Sequence, residues 1–586
     1  MQKCIMSKNN GTKDRRLFLR TFSLIVKAAP RLLILVFVSE LLIGLLQTGT
    51  LVAWKYAINA AEYFINERQN YLSLLLAFGI SLLSYVAMDL FRMILESFYT
   101  LLNNQLSEFF QSKLYDKCKV INAIYFEDSE LYNEIDRANK SIGGMISLVG
   151  TIGVLVMAVS RIATLGTYVL FTKPFLAVLV VLPIVPILIT RITRGKDLYR
   201  LSYEQSENRR ECDYYRKCIL SKETKTLLAV PYFSEKWDIL YRKINREEKK
   251  VNKKSSLLFA LMNLLKYSIY IIAIIIAAMY LFDGSIDIGT FALIASMLGT
   301  THATIEVAVS KSGDIVGSLR HAKDYFSFLD KSDDVLNEKN QFESLIKLDH
   351  VSFSYPNSDK NAIYNLDLSI RRGEKIAIVG SNGAGKTTLA KIILGLYNPT
   401  HGKILIDDKC RLDNTLIDCS TVFQSFYKYF FTLRENIAFG NLDLLDKDEE
   451  LLSLLDEFDF GLVKTESSLD VQLGREFDGI ELSGGEWQKI ALARGFAKKS
   501  NFIILDEPNS GLDPLTESKM FQRFMQLLTN STGIIITHRI GIAAIADRIV
   551  LLKNGQIEEE GTHEELMQKN GEYRMMFETQ ASMMIR

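Results

Sequence analysis

The chain has 586 residues, 48% hydrophobic and 23% charged, with a formal net charge of +1, a length that points to three or four units, or to one large membrane unit and a soluble one. So neutral a balance gives no electrostatic case for nucleic acid as a partner. Six cysteines, Cys4, Cys118, Cys212, Cys218, Cys410 and Cys419, lack metal-ligand spacing and are expected to be free thiols.

Along the chain the composition splits. Long apolar runs fill residues 32 to 310, and the remainder alternates short apolar runs with charge, as a soluble α/β domain does. A basic N-terminal segment (Lys3, Lys8, Lys13, Arg15, Arg16, Arg20, Lys27 and Arg31 against Asp14) leads into Leu32 to Trp54. At roughly 23 residues that run spans a bilayer core of ~30 Å and is longer than a signal-peptide core. Further spans are predicted near 71 to 95, 145 to 171, 175 to 190, 257 to 282 and 286 to 309, giving six. The short connections, 55–70, 172–174 and 283–285, carry few Lys or Arg, and the N-terminus and two long connections carry many. The positive-inside rule therefore puts the long connections in the cytoplasm, where they read as helical extensions of the spans.

Glu40, Asp89, Arg92, Arg161, Lys266, His302 and Glu306 fall inside or close to the spans. Ionisable groups at membrane depth are costly unless paired or facing water. Either a polar cavity between helices or pairing from helix to helix accounts for them.

Residues 312 to 329 read as a helix and 330 to 342 (DKSDDVLNEKNQF) as a polar linker. The predicted architecture is an all-α six-span transmembrane domain over 1–330, a linker over 331–344 and an α/β domain over 345–586, whose P-loop and ATPase character rest on the motifs below. Residues 346 to 353 alternate as a half-buried strand, and Tyr355 follows. An aromatic before a P-loop core stacks on adenine or simply packs in the core.

Gly380-Ser381-Asn382-Gly383-Ala384-Gly385-Lys386-Thr387 fills all defined positions of the G-x-x-x-x-G-K-[ST] loop, after the apolar run 375–379 and before the apolar run 389–396. Backbone N–H groups and a helix N-terminus there face phosphates, Lys386 adds a point charge, and the Thr387 hydroxyl can ligate Mg²⁺. Farther on, Leu482-Ser483-Gly484-Gly485-Glu486 opens a helix with a hydroxyl and bare N–H groups, which fits either an anion site or a plain helix cap. A buried strand, 502–505, ends in Asp506-Glu507. A strand-end carboxylate beside a P-loop suits Mg²⁺ (Asp506), and the next one can polarise water (Glu507).

This set resembles the nucleotide-binding domain of an ABC transporter. The P-loop, Gln424 after Thr421-Val422-Phe423, the signature LSGGE at 482–486, Asp506-Glu507, Ser510-Gly511-Leu512-Asp513 and His538 within Ile536-Thr537-His538-Arg539 stand in that family's order. Six spans before them resemble an exporter-type half-transporter. The resemblance implies that Tyr355 stacks on adenine and that Gly380, Ser381, Asn382, Gly383, Ala384, Gly385, Lys386, Thr387 and Thr388 hold the phosphates. Thr387, Gln424 and Asp506 would serve Mg²⁺. Glu507, His538 and Gln424 would be catalytic. Ser483, Gly484, Gly485 and Asp513 would contact ATP held by a second copy, making a homodimer the expected partner. The chain departs from the family at Glu486, where Gln is usual, and at Gly511 and Pro508, where Ala is frequent.

Shorter strings, Tyr125-Phe126-Glu127-Asp128, residues 424–429 (QSFYKY) and 472–477 (QLGREF), resemble the branch that exports lantibiotics and related bacteriocin peptides. The resemblance implies an ATP-driven exporter in the cell membrane, with lipid around it, an ATPase domain and N-terminus in the cytoplasm, and a peptide as cargo. Coupling helices are expected near 121–133 and 216–226. About 30 residues precede the first span, too few for a fused leader-peptidase domain. Drug or lipid exporters and a heterodimeric partnership share this engine. An ATP-gated channel or sensor and a soluble ABC ATPase are the alternatives of other classes.

Overall fold

The structure, a computed structural model, describes residues 2–584 apart from 68–70, 128, positions scattered between 183 and 203, 222–223, 226, 332–336, 357, 359, 461–467, 509–523, 525 and 527–530. It divides into two compact units. One comprises Met1–Asp116 with Glu134–Lys331, the other Lys117–Asn133 with Ser332–Arg586.

Among the described residues the first unit contains helices and no strand. Its elements are α1 (Gln2–Ala28), α2 (Pro30–Glu67), α3 (Tyr71–Val120), α4 (Ser129–Thr172), α5 (Pro174–Val181), α6 (Ser206–Leu220), α7 (Val230–Phe282) and α8 (Ile288–Leu329). Among the described residues five of these, α2, α3, α4, α7 and α8, are long and apolar enough to cross a membrane. The expected fourth span begins in α5 and runs into residues outside the described set. With α3 at 50 residues and a rise of 1.5 Å per residue, the helix reaches ~75 Å, well beyond a ~30 Å bilayer core. The unit's apolar core joins Leu51 of α2, Leu165 and Val169 of α4, Leu176 of α5, Ala277 of α7 and Leu293 and Met297 of α8.

Two expectations are corrected here. Residues 55–67, read as part of a short connection between spans, continue α2 as helix, and their polar groups find tertiary partners. Lys55 Nζ donates to the Tyr168 hydroxyl at 3.0 Å and lies 3.6 Å from Asp287, and Asn59 Oδ1 accepts from Gly289 N at 2.7 Å. The last span and the following helix are one element, α8, unbroken at Gly313, since a helical glycine costs only ~1 kcal/mol. Downstream α8 is held by the buried Tyr325, whose hydroxyl donates to the Phe110 carbonyl at 2.9 Å, and by the Arg20–Asp330 pair at 2.6 Å. The ionisable groups mostly pair. Tyr99 donates to Glu40 at 2.7 Å, Arg161 to Thr304 at 2.9 Å, and Lys266 Nζ lies 3.1 Å from His302 Nε2, itself 3.4 Å from Glu306.

The second unit contains β1 (Asn337–Asn340), β2 (Leu345–Ser354), β3 (Asn361–Arg371), β4 (Lys375–Val379), β5 (His401–Ile406), β6 (Lys409–Cys410), β7 (Thr415–Ile417), β8 (Ser420–Val422), β9 (Phe502–Asp506), β10 (Thr532–Ile536), β11 (Arg548–Lys553) and β12 (Gln556–Gly561). A six-stranded sheet runs β12-β11-β4-β10-β9-β8, parallel except for the edge strand β12. Strands β4, β9 and β10 are apolar along their length because both faces are covered. A four-stranded antiparallel sheet, β3-β2-β5-β6, packs its inner residues (Ile346, Leu348, Phe353, Ile363) against the same core. Residues 337–340, expected within the linker, form β1, paired in parallel with β7. Its sequence, NEKN, carries no alternation of polarity to announce a strand.

The P-loop helix, α9 (Lys386–Leu394), ends at Gly395, whose φ is +86° and whose added Cβ would lie 2.1 Å from the Thr415 carbonyl oxygen. Gly395→Ala is therefore expected to destabilise this unit by about 2 kcal/mol or more, read by calorimetry of the purified chain as a lower transition temperature. An unchanged transition would contradict the assignment.

Candidate functional site

The parallel register sets which loops meet. Ile536 of β10 pairs with Ile378 of β4 on one side and with Asp506 of β9 on the other. The carboxyl ends of three strands thus stand level, and the loops that leave them share one edge, the usual binding edge of an open α/β sheet.

From β4 the chain turns through 380–385 into α9. Gly385 precedes the helix at φ +103°, and a Cβ there would lie 2.7 Å from the Ala362 carbonyl oxygen. Glycine is required at that point. Lys386, 7% exposed, donates to the carbonyls of Gly380 at 2.9 Å and Ser381 at 3.1 Å. Burial pulls its pKa down, opposed by the charges of Glu507 and Asp506.

Asp506 is 1% exposed and accepts a 2.6 Å hydrogen bond from the Thr387 hydroxyl. Burial raises its pKa. The Thr387 bond lowers it, the Glu507 charge adds to the rise and Lys386 opposes it. A hydroxyl and an under-compensated buried carboxylate in contact, both hard oxygen donors, fit a Mg²⁺ ion. Glu507 takes a left-handed backbone, φ +46°, with its N–H donating to the Ile536 carbonyl at 2.9 Å. Such a conformation in a non-glycine residue costs on the order of 1–3 kcal/mol and tends to occur where function demands it. Gln424 Nε2 donates to Glu507 Oε2 at 2.9 Å, and His538 Nδ1 lies 3.3 Å from Glu507 Oε1. The carboxylate is held from both sides.

These groups open on a cavity of about 770 Å³ lined by Tyr355, Gly380, Ser381, Asn382, Gly383, Gly385, Lys386, Thr387, Thr388, Gln424, Glu507 and His538, together with Ala362, Met576 and Gln580. Tyr355 meets Phe353 and Tyr397 edge to face, and its hydroxyl is 2.9 Å from Thr388 Oγ1. Its ring is thus both part of the aromatic core and part of the cavity wall. Ala384 and Asp506 are buried and do not line the cavity.

The predicted signature residues lie elsewhere. Ser483 and Gly484 are exposed and, with Gly485, absent from the cavity wall. Within this chain Ser483 caps α10 (Gly484–Phe496) in a capping box: its Oγ accepts from Glu486 N at 3.3 Å, and Glu486 Oε2 accepts from Ser483 N at 2.7 Å. Glutamate at 486, unusual for the family, completes that box. Asp513 and the stretch 510–513 lie outside the described residues.

Sequence reasoning missed three residues of the cavity wall, and it expected a contact within 121–133 without naming its partners. Ala362, Met576 and Gln580 carry no motif. Glu127, in the short helical turn Ala123–Glu127, accepts from Lys391 of α9 at 2.6 Å and from Tyr397 at 2.5 Å. Those two hydrogen bonds, with the Lys391 charge, hold its pKa below the ordinary carboxylate value. Asn122 Nδ2 donates to Asn414 Oδ1 at 2.7 Å. The segment around the YFED string is thereby tied to the helix that follows the P-loop, and Tyr397 stacks on Phe353, which touches Tyr355.

Residues 363–510 match the family profile described as ABC transporter. The chain is 29% identical over 515 residues to a subtilin transport ATP-binding protein of Bacillus subtilis, covering 83% of both chains. It is 34% identical over 373 residues to a nisin transport ATP-binding protein of Lactococcus lactis subsp. lactis, covering 61% of this chain and 62% of that one. An ATP-dependent lipid A-core flippase of Syntrophus aciditrophicus is 33% identical over 51% of this chain and 50% of its own. A solved bacterial Atm1-family ABC exporter with ATP bound superposes with a TM-score of 0.72 at 20% identity, covering 94% of this chain and 99% of that one. Residues 363–510 thus form an ABC domain, an ATP hydrolase, and the chain as a whole is similar to exporter-type half-transporters, in which a multi-pass transmembrane domain is fused to such a domain.

Proposed function

We propose that two copies of this chain enclose two ATP molecules with Mg²⁺ and use their hydrolysis to export a peptide of the lantibiotic or bacteriocin kind. The observation that carries the two-copy arrangement is the separation within one chain. The cavity gathers Lys386, Thr387, Gln424, Glu507 and His538, and the exposed Ser483 and Gly484 lie away from it. A signature loop so placed has its helix N-terminus available to a phosphate held by another chain.

In this reading Lys386 and the 380–385 backbone hold the phosphates, and Thr387 and Asp506 hold Mg²⁺. The metal supplies charge neutralisation on the phosphate oxygens. Glu507, steadied by Gln424 and His538, takes the proton of the attacking water. His538 donates toward the terminal phosphate, and Tyr355 offers its ring to adenine. Asp513 of the partner copy is assigned to the same sandwich. Glu127, bonded to Lys391 and Tyr397, receives the displacement of α9 when nucleotide binds.

The peptide cargo is supported by the subtilin and nisin transport proteins, which match over 83% and 61% of this chain. The flippase and a putative multidrug exporter of Bacillus subtilis match over about half of it. The strings at 125–128, 424–429 and 472–477 add to the peptide reading. The plasma membrane of a bacterium, with the ATPase domain facing the cytoplasm, is the corresponding location.

Three outcomes are expected. Glu507→Gln binds ATP with unchanged affinity but releases phosphate at least ~10²-fold more slowly; phosphate release at the parent rate would remove Glu507 from its role. Lys386→Ala weakens nucleotide binding itself, checked by direct titration, and an unaltered ATP affinity would count against it. Inside-out vesicles holding only this chain accumulate a lantibiotic-type peptide when ATP is supplied. Accumulation of a lipid or drug instead, with the peptides ignored, would replace the cargo assignment and leave the engine intact.

A further inference from the structure

His538 sits in a short loop between β10 and the helical turn Ile540–Ala543, a stretch with no ladder of its own. Its backbone groups find partners one by one. Thr537 N donates to the Ile378 carbonyl at 3.1 Å, and Arg539 N to Thr537 Oγ1 at 3.0 Å. Two more, the Ile540 N–H and the His538 carbonyl, meet one side chain. Ile540 N donates to Gln580 Oε1 at 3.0 Å, and Gln580 Nε2 donates to the His538 carbonyl at 2.7 Å. A primary amide offers an acceptor and a donor at one fixed spacing, which is what a carbonyl and an N–H two residues apart require.

Gln580 belongs to the terminal helix Glu572–Met584, whose seat is firm. Tyr573 of that helix is fully buried against Ile540, Ala543 and Leu566, its hydroxyl is 2.8 Å from His563 Nδ1, and Lys553 pairs with Glu572 at 2.5 Å. Gln580 and Met576 of the same helix also reach the wall of the nucleotide cavity. A rigid element thus ends in a two-point clamp on the loop whose imidazole stands 3.3 Å from Glu507.

We infer that Gln580 is a positioning residue for ATP hydrolysis: it sets the direction of the His538 imidazole toward Glu507 and the terminal phosphate by holding the His538 carbonyl and the Ile540 N–H together. The inference rests on the role proposed for His538. Because the clamp acts on orientation during the chemical step, its loss lowers kcat and leaves ATP binding, carried by the P-loop, in place.

The test is steady-state ATPase of the purified full chain in lipid with Mg²⁺, for Gln580→Ala, Gln580→Glu, His538→Ala and each Gln580 variant combined with His538→Ala. Gln580→Glu keeps the length and the acceptor and loses the donor, so it reports on the clamp without opening a cavity. Both Gln580 variants are expected to lower kcat about three- to tenfold with KM for ATP within about twofold of the parent, and to cause no further loss once His538 is alanine. Unchanged kcat in both Gln580 variants while His538→Ala is impaired would overturn the clamp alone, as would losses that multiply in the combined variants. Full kcat in His538→Ala would overturn the role of His538 and the clamp with it.

Discussion

The site depends on strand register. Ile378, Ile536 and Asp506 stand side by side across β4, β10 and β9, so the phosphate loop, the paired acids and the His538 loop leave the sheet at one level. A one-residue slip of a strand would turn its side chains to the opposite faces, removing Asp506 from Thr387 and Glu507 from Gln424. The slip is opposed by apolar burial on both faces of all three strands, where Ile378, Ile504 and Ile536 are fully buried. The same burial makes the site electrostatically tense: Lys386 and Asp506 each have their charged form disfavoured by desolvation. A phosphate and a divalent cation are the charges that would relieve both.

The nucleotide cavity and the signature helix are separate surfaces of the chain. Its P-loop cavity and its signature helix are both built in full, the latter with a capping box that fixes Ser483 at the helix start. The proposed pairing of two copies rests on this separation within one chain. On the far side of α9, Glu127 gathers Lys391 and Tyr397, and the aromatic contacts Tyr397–Phe353–Tyr355 lead back to the cavity. Nucleotide binding and the 117–133 segment therefore share packed neighbours, the physical requirement for one to bias the other.

What could be read from the sequence was what lies close along the chain. The 380–387 loop, Asp506-Glu507, the signature and the long apolar runs are local patterns whose chemistry is contained in adjacent residues. What could not be read, the partners of Glu127 and the role of Gln580, is made by residues distant in the chain. Glu127 meets Lys391 across 264 positions, and Gln580 meets His538 across 42; neither pair leaves a mark in composition or period. Residues 55–67 read as part of a connection, and the partners that hold them as helix, Tyr168, Asp287 and Gly289, lie on other elements. β1 carries no alternation of polarity, and α8 runs through Gly313 because the packing around Tyr325 outweighs the weak helical preference there.

That each nucleotide is gripped by two copies is the claim on which the transport account stands, and it is measured most directly by a disulfide across the pair. Chains carrying Asn382→Cys are mixed with chains carrying Ser483→Cys, both with Glu507→Gln so that ATP is retained, and oxidised in lipid, with the parent chain's own cysteines giving the background. The account predicts a covalent dimer of one chain of each kind that forms when ATP is added. Failure of ATP to produce that dimer, with nucleotide bound to both chains, would contradict it.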